Sequence, residues 1–220
     1  MRYNLLGVDA IQIKNLPPDV AATRNIDGTF SRDYFDGPRS RGYGGYKDDG
    51  RWAAIAKKLQ EKYGLTPQSS VLDIGCAKGF LLKDLKLAMP GITVRGFEVA
   101  QYAKDTAPDT VRDLIDVGYP TRLPYADNSF DLILLINSLH FMPESDVQKT
   151  FGEVVRVARK GAGVYIQVDA YTNDLQHRSM MAWAPIIKTF MTPDGWDKLF
   201  QNPKVSVDTF YTIIELENLR

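Results

Sequence analysis

The chain has 220 residues, 27 Lys+Arg against 27 Asp+Glu and a single cysteine, Cys76. That length supports one cored domain with an appendage rather than two separately cored ones, and a net charge of zero supplies no field to gather nucleic-acid phosphates or anionic lipid. The lone cysteine excludes an intramolecular disulfide, and the opening MRYNLLGVDAIQIK carries neither a signal-peptide run nor a membrane span, so the expectation is a soluble, cytoplasmic protein with no nucleic-acid or membrane partner.

Residues 1–47 are rich in Pro, Gly, Tyr and Arg and follow neither a helical nor a strand period. They read as an arm or lid laid over a single domain spanning 48–220. From Arg51, the residues Trp52, Ile55, Ala56, Leu59 and Tyr63 share one helical face, with Asp49 as N-cap candidate and Gly64 as stop. Strands and helices then alternate: strand 70–75, helix FLLKDLKLAM ended by Pro90 and Gly91, strand 92–98, a short helix at 101–106, strands 112–117 and 130–137, helix 144–158 and strand 164–170. Strands so continuous in Val, Ile and Leu belong in a parallel sheet covered on both faces, which makes the fold class α/β, doubly wound. After Ala170 the alternation breaks, and 171–191 read as an insert over the sheet edge that covers the substrate. Thr192 and Pro193 then open a fresh helix, and VSVDTFYTIIELE supplies a last strand or a hairpin.

VLDIGCAKGFLL, residues 71–82, places Asp73 and then Gly75, Ala77 and Gly79 where a strand hands over to a helix. Such a corner is either tight packing or a place where a ligand meets bare backbone, because glycine leaves no β-carbon in the way. The spacing departs from the dinucleotide fingerprint, since Phe80 stands near the place of the third glycine, and an acid beside a diphosphate would repel it. An acid there suits a ligand with a positive charge. The next strand ends in Glu98, and an acid at that point can accept both hydroxyls of a ribose. Together these describe a nucleoside with a cation and no phosphates.

VLDIGCAKG and GFEVA are close to the first two motifs of the class I S-adenosylmethionine-dependent methyltransferases, and LPYADNSFDLILLINSLHFM is similar to the stretch around that family's fourth strand in its small-molecule branch. The resemblance covers roughly residues 50–170. It implies a Rossmann-like fold, S-adenosylmethionine as cofactor, and a role for Asp73, Gly75, Ala77 and Gly79 on its methionine and ribose side, with Glu98 on the ribose hydroxyls. It also implies that Leu114 to Gly118 lead to the adenine and that Asn137 and Ser138 sit under the sulfonium. The middle glycine is replaced by Ala77, and Tyr119 stands where many members have an acid for the adenine amino group. In the arm, Tyr43 and Tyr46 can close over a sulfonium with their ring faces, while Arg39, Arg41 or Arg51 can meet a carboxylate; a plain covering of apolar surface explains them equally.

Methyl transfer needs a base only when the acceptor is a hydroxyl or a protonated amine. His140, just after the fourth strand of this pattern, and Asp169, at the end of the next, are the catalytic candidates; the alternatives are a histidine bonded to a neighbouring carbonyl and a carboxylate capping a turn. His177 reads as an exposed loop residue. Met180, Met181 and Trp183 are lid or packing, Cys76 a small buried hydrophobe, and no metal-ligand spacing occurs; a magnesium at Asp169 with Asn173 or Asp174 is not the expectation. The function expected is methylation of an oxygen or nitrogen on a small-molecule acceptor, a sugar or secondary metabolite among them, by a monomer or homodimer. Set against it are a cofactor-binding regulator without catalysis, methylation of a macromolecule, for which the N/D-P-P-Y/F run is lacking, and a dehydrogenase.

Overall fold

A computed structural model of the chain describes residues 1–7, 11–14 and 29–217. Six strands form the body of one sheet: β2 (Ser70–Ile74), β3 (Thr93–Glu98), β4 (Ile115–Val117), β5 (Phe130–Ile136), β6 (Ala158–Ala170) and β7 (Ser206–Glu217). A short β1 (Ile11–Lys14) extends the far half of β7, giving the order β1-β7-β6-β5-β2-β3-β4. Every described pairing is parallel. The fold class is α/β, Rossmann-like, as the alternation predicts.

The physical reason lies in β2, where SVLDI is buried at all five positions. A strand with no wet face must be covered on both sides, and alternation of its side chains divides the core in two. Leu72 and Ile74 face a cluster completed by Val147, Phe151 and Val154 of α6 (Glu144–Val157) and by Trp196 of α8 (Pro193–Leu199). Val71 faces the other, built with Ile55 and Leu59 of α2 (Arg51–Tyr63) and Leu82 and Leu85 of α3 (Phe80–Ala88). Gly64 stops α2 in a left-handed conformation, as expected, but the residue opening it is Gly50, and Asp49 instead pairs with the Arg51 side chain.

Three features differ from expectation. The arm holds a short helix, α1 (Arg32–Asp36). After α4 (Gln101–Asp105), the strand expected over 112–117 loses its first part to α5 (Asp109–Arg112), and pairing with β3 starts at Ile115. β6 begins at Ala158 rather than 164, through an irregular register against Phe130. Of the two readings left open for the C-terminal segment, it is the last strand, beside β6, because α7 (Asp174–Trp183) and α8 carry the chain back before it enters the sheet. No described helix is long and apolar enough to cross a membrane.

Trp196 anchors the α8 side: it is fully buried, its Nε1–H donates to the Asp169 carbonyl at 3.0 Å, and it stacks on Phe200. Trp196→Ala removes the ring and orphans that carbonyl, so chemical denaturation should show a loss of about 3–5 kcal/mol; a change under about 1 kcal/mol would mean that α8 is dispensable to the core.

Candidate active site

In the sheet order, β2 is flanked by β3 on one side and β5 on the other, so the connections leaving β2 towards β3 and β5 towards β6 diverge and open a crevice at the carboxyl ends. Packing dictates part of this corner. Gly75 takes a φ of +80°, donates its N–H to the Phe97 carbonyl at 2.7 Å, and approaches Ser138 so closely that a β-carbon would lie 2.4 Å from the Ser138 Cβ. Ser138 in turn donates its hydroxyl to the Ile74 carbonyl at 3.0 Å. Gly79 opens α3, where a β-carbon would press on Ile115 and Val111, and Gly118 is confined by Phe97. Gly79 and Gly118 do not line the cavity.

The other part faces a ligand-sized space. A cavity of about 660 Å³ opens at the corner, and Asp73, Gly75, Ala77, Glu98, Tyr119, Asn137 and Ser138 all contribute to its wall. Asp73 is 5 % exposed and has no hydrogen-bond partner among the described residues. Burial, reinforced by the charge of Glu98, pushes its carboxyl up to about 7. Glu98 is also buried, but it is well served: Oε2 accepts from Ala77 N–H at 2.8 Å, and Oε1 from Val99 and Ala100 N–H at 2.9 and 3.1 Å. Burial raises its pKa against the pull of those three donors. A carboxylate offers about four lone-pair positions, leaving roughly one of them for a ligand hydroxyl. The Ala77 amide, expected to press on a ligand, is spent on Glu98. Ala77, Asn137 and Phe30 all hold left-handed backbone, at φ of +50°, +53° and +49°, and all three line the cavity. Such conformations cost of order 1–3 kcal/mol each and gather where function holds them.

The arm forms the roof. Phe30, Tyr34, Phe35, Tyr43, Tyr46 and, at the start of α2, Arg51 and Trp52 line the same cavity. Tyr46 stacks on Phe80 with centroids 5.1 Å apart, and Tyr43 meets Tyr46 edge-on. A clasp fastens the arm to the corner itself: Asp36 accepts from the Lys78 ammonium at 2.7 Å and from the Tyr102 hydroxyl at 2.6 Å. Burial disfavours the Asp36 charge, yet those two donors outweigh it and hold its carboxyl below the usual range. Of the three arginines expected to meet a carboxylate, Arg51 is on the wall; Arg39 donates to the Tyr43 carbonyl and lies over the Trp183 ring, and Arg41 pairs with Asp33.

A family model described as a methyltransferase domain matches residues 72–166, which span β2 to β6 and the corner. By this match, residues 72–166 carry a methyltransferase domain. It is 33% identical over 119 residues to methyltransferase GfsG of Streptomyces halstedii, covering 51% of this chain and 42% of that protein. It is 34% identical over 110 residues to norajmaline N-methyltransferase of Rauvolfia serpentina, covering 47% and 37%. The chain thus spans less than half the length of these curated relatives. Among solved structures, YcgJ of Bacillus subtilis shares the fold with a TM-score of 0.52 at 20% identity, over 66% of this chain and 65% of that one. A structure of the complex between the Trm112 methyltransferase activator of Haloferax volcanii and a methyltransferase does so with a TM-score of 0.53 at 21% identity, over 68% and 72%.

In this methyltransferase domain the two catalytic candidates meet each other rather than the cavity. His140 is 2 % exposed; its Nδ1 accepts from the Asp169 N–H at 3.4 Å and its Nε2 lies 3.6 Å from the Asp169 carboxylate. Burial lowers the imidazole pKa against the Asp169 charge, and burial raises that of Asp169 against the histidine. His140 is held neutral with both ring nitrogens turned to one residue, while its carbonyl accepts from Lys188 and Thr189 N–H. It staples the end of β5, the end of β6 and the insert together. His177 lies against Tyr171 and Phe190, and Asn173 caps α7 by accepting from Gln176 N–H. Among the described residues no cluster of His, Cys, Asp and Glu could hold a metal ion.

Sequence reasoning passed over Phe30, Tyr34, Trp52, Phe141, Met142 and Lys188 as cavity wall and Lys78 as a clasp. Trp52 was legible as an apolar helix position and Lys78 as a lysine between two small residues, but neither pattern states what lies above it.

Asp73 gives a direct test. Its folded-state pKa is raised above the unfolded value, so its contribution to stability is intact below about pH 4 and is lost as pH rises through about 7. The melting temperature of the ligand-free protein should fall relative to Asp73→Asn between pH 5 and pH 8. Parallel profiles for the two proteins would show that Asp73 ionises as freely as an exposed carboxylate.

Proposed function

We propose that this chain transfers a methyl group from S-adenosylmethionine to an oxygen or nitrogen atom of a small-molecule acceptor. The observation that carries this reading is Asp73: a buried acid, aimed into a cavity, with no hydrogen-bond partner among the described residues and with a second buried acid beside it. An apolar wall would be better served by an apolar residue there, so the arrangement suits a partner that brings positive charge.

The residues present fit such a guest. Asp73 would take its ammonium, the remaining lone pair of Glu98 a ribose hydroxyl, and Arg51 its carboxylate, since Tyr46 lies within electrostatic reach of both Asp73 and Arg51. Tyr43 and Tyr46 would offer ring faces to the cation, Tyr119 the approach to the adenine, Gly75, Gly79 and Gly118 the tight packing that permits the corner, and Asn137 and Ser138 the floor beneath the reacting centre. When bound, S-adenosylmethionine supplies a methyl group on a sulfonium whose departure as a neutral thioether needs little help. The chain's work is then alignment and exclusion of water, which the arm's aromatic roof and the Asp36 clasp perform. His140 and Asp169 contribute as positioning residues of the acceptor wall, because neither imidazole nitrogen is turned to the cavity.

A small acceptor is favoured by the roof, which encloses a space within the roughly 300–1,000 Å³ typical of small-ligand sites, and the matched relative from Rauvolfia serpentina is named for N-methylation of norajmaline. Residues 48–220 act as the methyltransferase domain in this reading, with 1–47 as its lid.

Titration calorimetry with S-adenosylhomocysteine tests the site. Binding should be weakened by about 1.5–3 kcal/mol in Glu98→Ala, measured where that variant remains folded; equal affinity would take Glu98 out of the site. Affinity for S-adenosylmethionine should rise as pH increases from 6 to 8 and Asp73 ionises, and Asp73→Asn should abolish the rise. A pH-independent affinity in the native protein would contradict the role given to Asp73.

A further inference from the structure

The cavity wall carries two cations, Arg51 and Lys188. They stand in different surroundings. Arg51 is paired with Asp49 and sits beside Tyr43 and Tyr46, on the side of Asp73. Lys188 comes from the insert and has no acidic partner among the described residues. It is fixed by its backbone: its N–H donates to the His140 carbonyl at 2.9 Å, Thr189 N–H donates to the same carbonyl at 3.1 Å, and the Thr189 hydroxyl donates to the Met142 carbonyl at 2.7 Å. These bonds bracket Phe141. Lys188 lines the same cavity as Phe141, Met142, Phe30 and Tyr34, of which Phe30 meets Phe141 and Tyr34 edge-on with centroids 5.6 and 4.9 Å apart.

The cavity thus combines opposite chemistries. Asp73 and Glu98 put two acids at the corner, while Lys188, with no acidic partner among the described residues, lines the aromatic part. An anionic group on the acceptor would be repelled from the acids and drawn to Lys188, and a flat ring would fill the aromatic wall between them. Resting on the methyl-transfer reading, we propose that the acceptor is an aromatic carboxylic acid and that Lys188 is the specificity-determining residue that receives its carboxylate. Because Lys188 is exposed, the attraction is screened by salt and acts on acceptor affinity rather than on the fold.

The test is calorimetry on the full chain saturated with S-adenosylhomocysteine, titrated at low salt with 4-hydroxybenzoate and with its neutral counterpart 4-hydroxybenzamide. The acid should bind at least 10-fold more tightly than the amide, Lys188→Met should erase that preference while S-adenosylhomocysteine affinity stays unchanged, and Lys188→Arg should keep it. No preference, failure of both probes to bind, a preference that survives in Lys188→Met, or a loss of S-adenosylhomocysteine affinity in that variant would each overturn the assignment. Absence of S-adenosylhomocysteine binding to the native protein would instead bring down the cofactor reading and this inference with it; normal cofactor binding without acid preference brings down this inference alone.

Discussion

Two buried carboxylates at the ends of adjacent parallel strands are the constraint around which this molecule is arranged. Asp73 and Glu98 are placed next to each other because β2 and β3 run in register, Asp73 opposite Gly96 and Ile74 opposite Phe97, so that the residues closing each strand converge. Like charges with little water between them are costly, and the chain relieves the cost unequally. Glu98 collects three backbone donors and so locks the turn after β2 onto the end of β3, whereas Asp73 has no hydrogen-bond partner among the described residues.

The glycines serve this arrangement more than they touch a ligand. Gly75 lets the end of β2 come against Ser138 at the end of β5, and Gly96 leaves room within β3 for the Cys76 sulfur, which a β-carbon would meet at 2.6 Å. Packing corner and binding corner are therefore the same structure: the close approach of backbones brings β2 and β5 near enough for their carboxyl ends to share one cavity. A bulkier residue at Gly75 would be felt first as a collision with Ser138, so loss of binding on such a change would not separate the two roles.

Much of this was readable along the chain, for definite reasons. The buried strands announce themselves by uninterrupted Val, Ile and Leu, and the corner by an acid and small residues at a strand-to-helix handover, because both are local patterns with one physical cause each. The placement of His140 against Asp169 was not readable: it depends on how the insert folds back, through Lys188 and Thr189, onto the end of β5. The boundary of β4 was missed because RDLIDV suits a strand, yet Val111 and Ile115 both pack on α3 and the chain satisfies this with a helical turn first. The arm gave no periodic signal, since its order comes from single contacts made over long distances, such as Asp36 with Lys78 and Phe30 with Phe141.

The arm touches the insert at Arg39 and Trp183 and the turn after β5 at Phe30 and Phe141. Enclosure of this kind excludes water from the charged corner and makes its electrostatics stronger. The most direct test of the account is a crystal of the protein soaked with S-adenosylhomocysteine. The account predicts density for the nucleoside in the cavity beneath Tyr43 and Tyr46, with its ammonium at Asp73 and its ribose at Glu98; density elsewhere, or a corner closed by the protein's own side chains around an Asp73 that has found an internal partner, would contradict it.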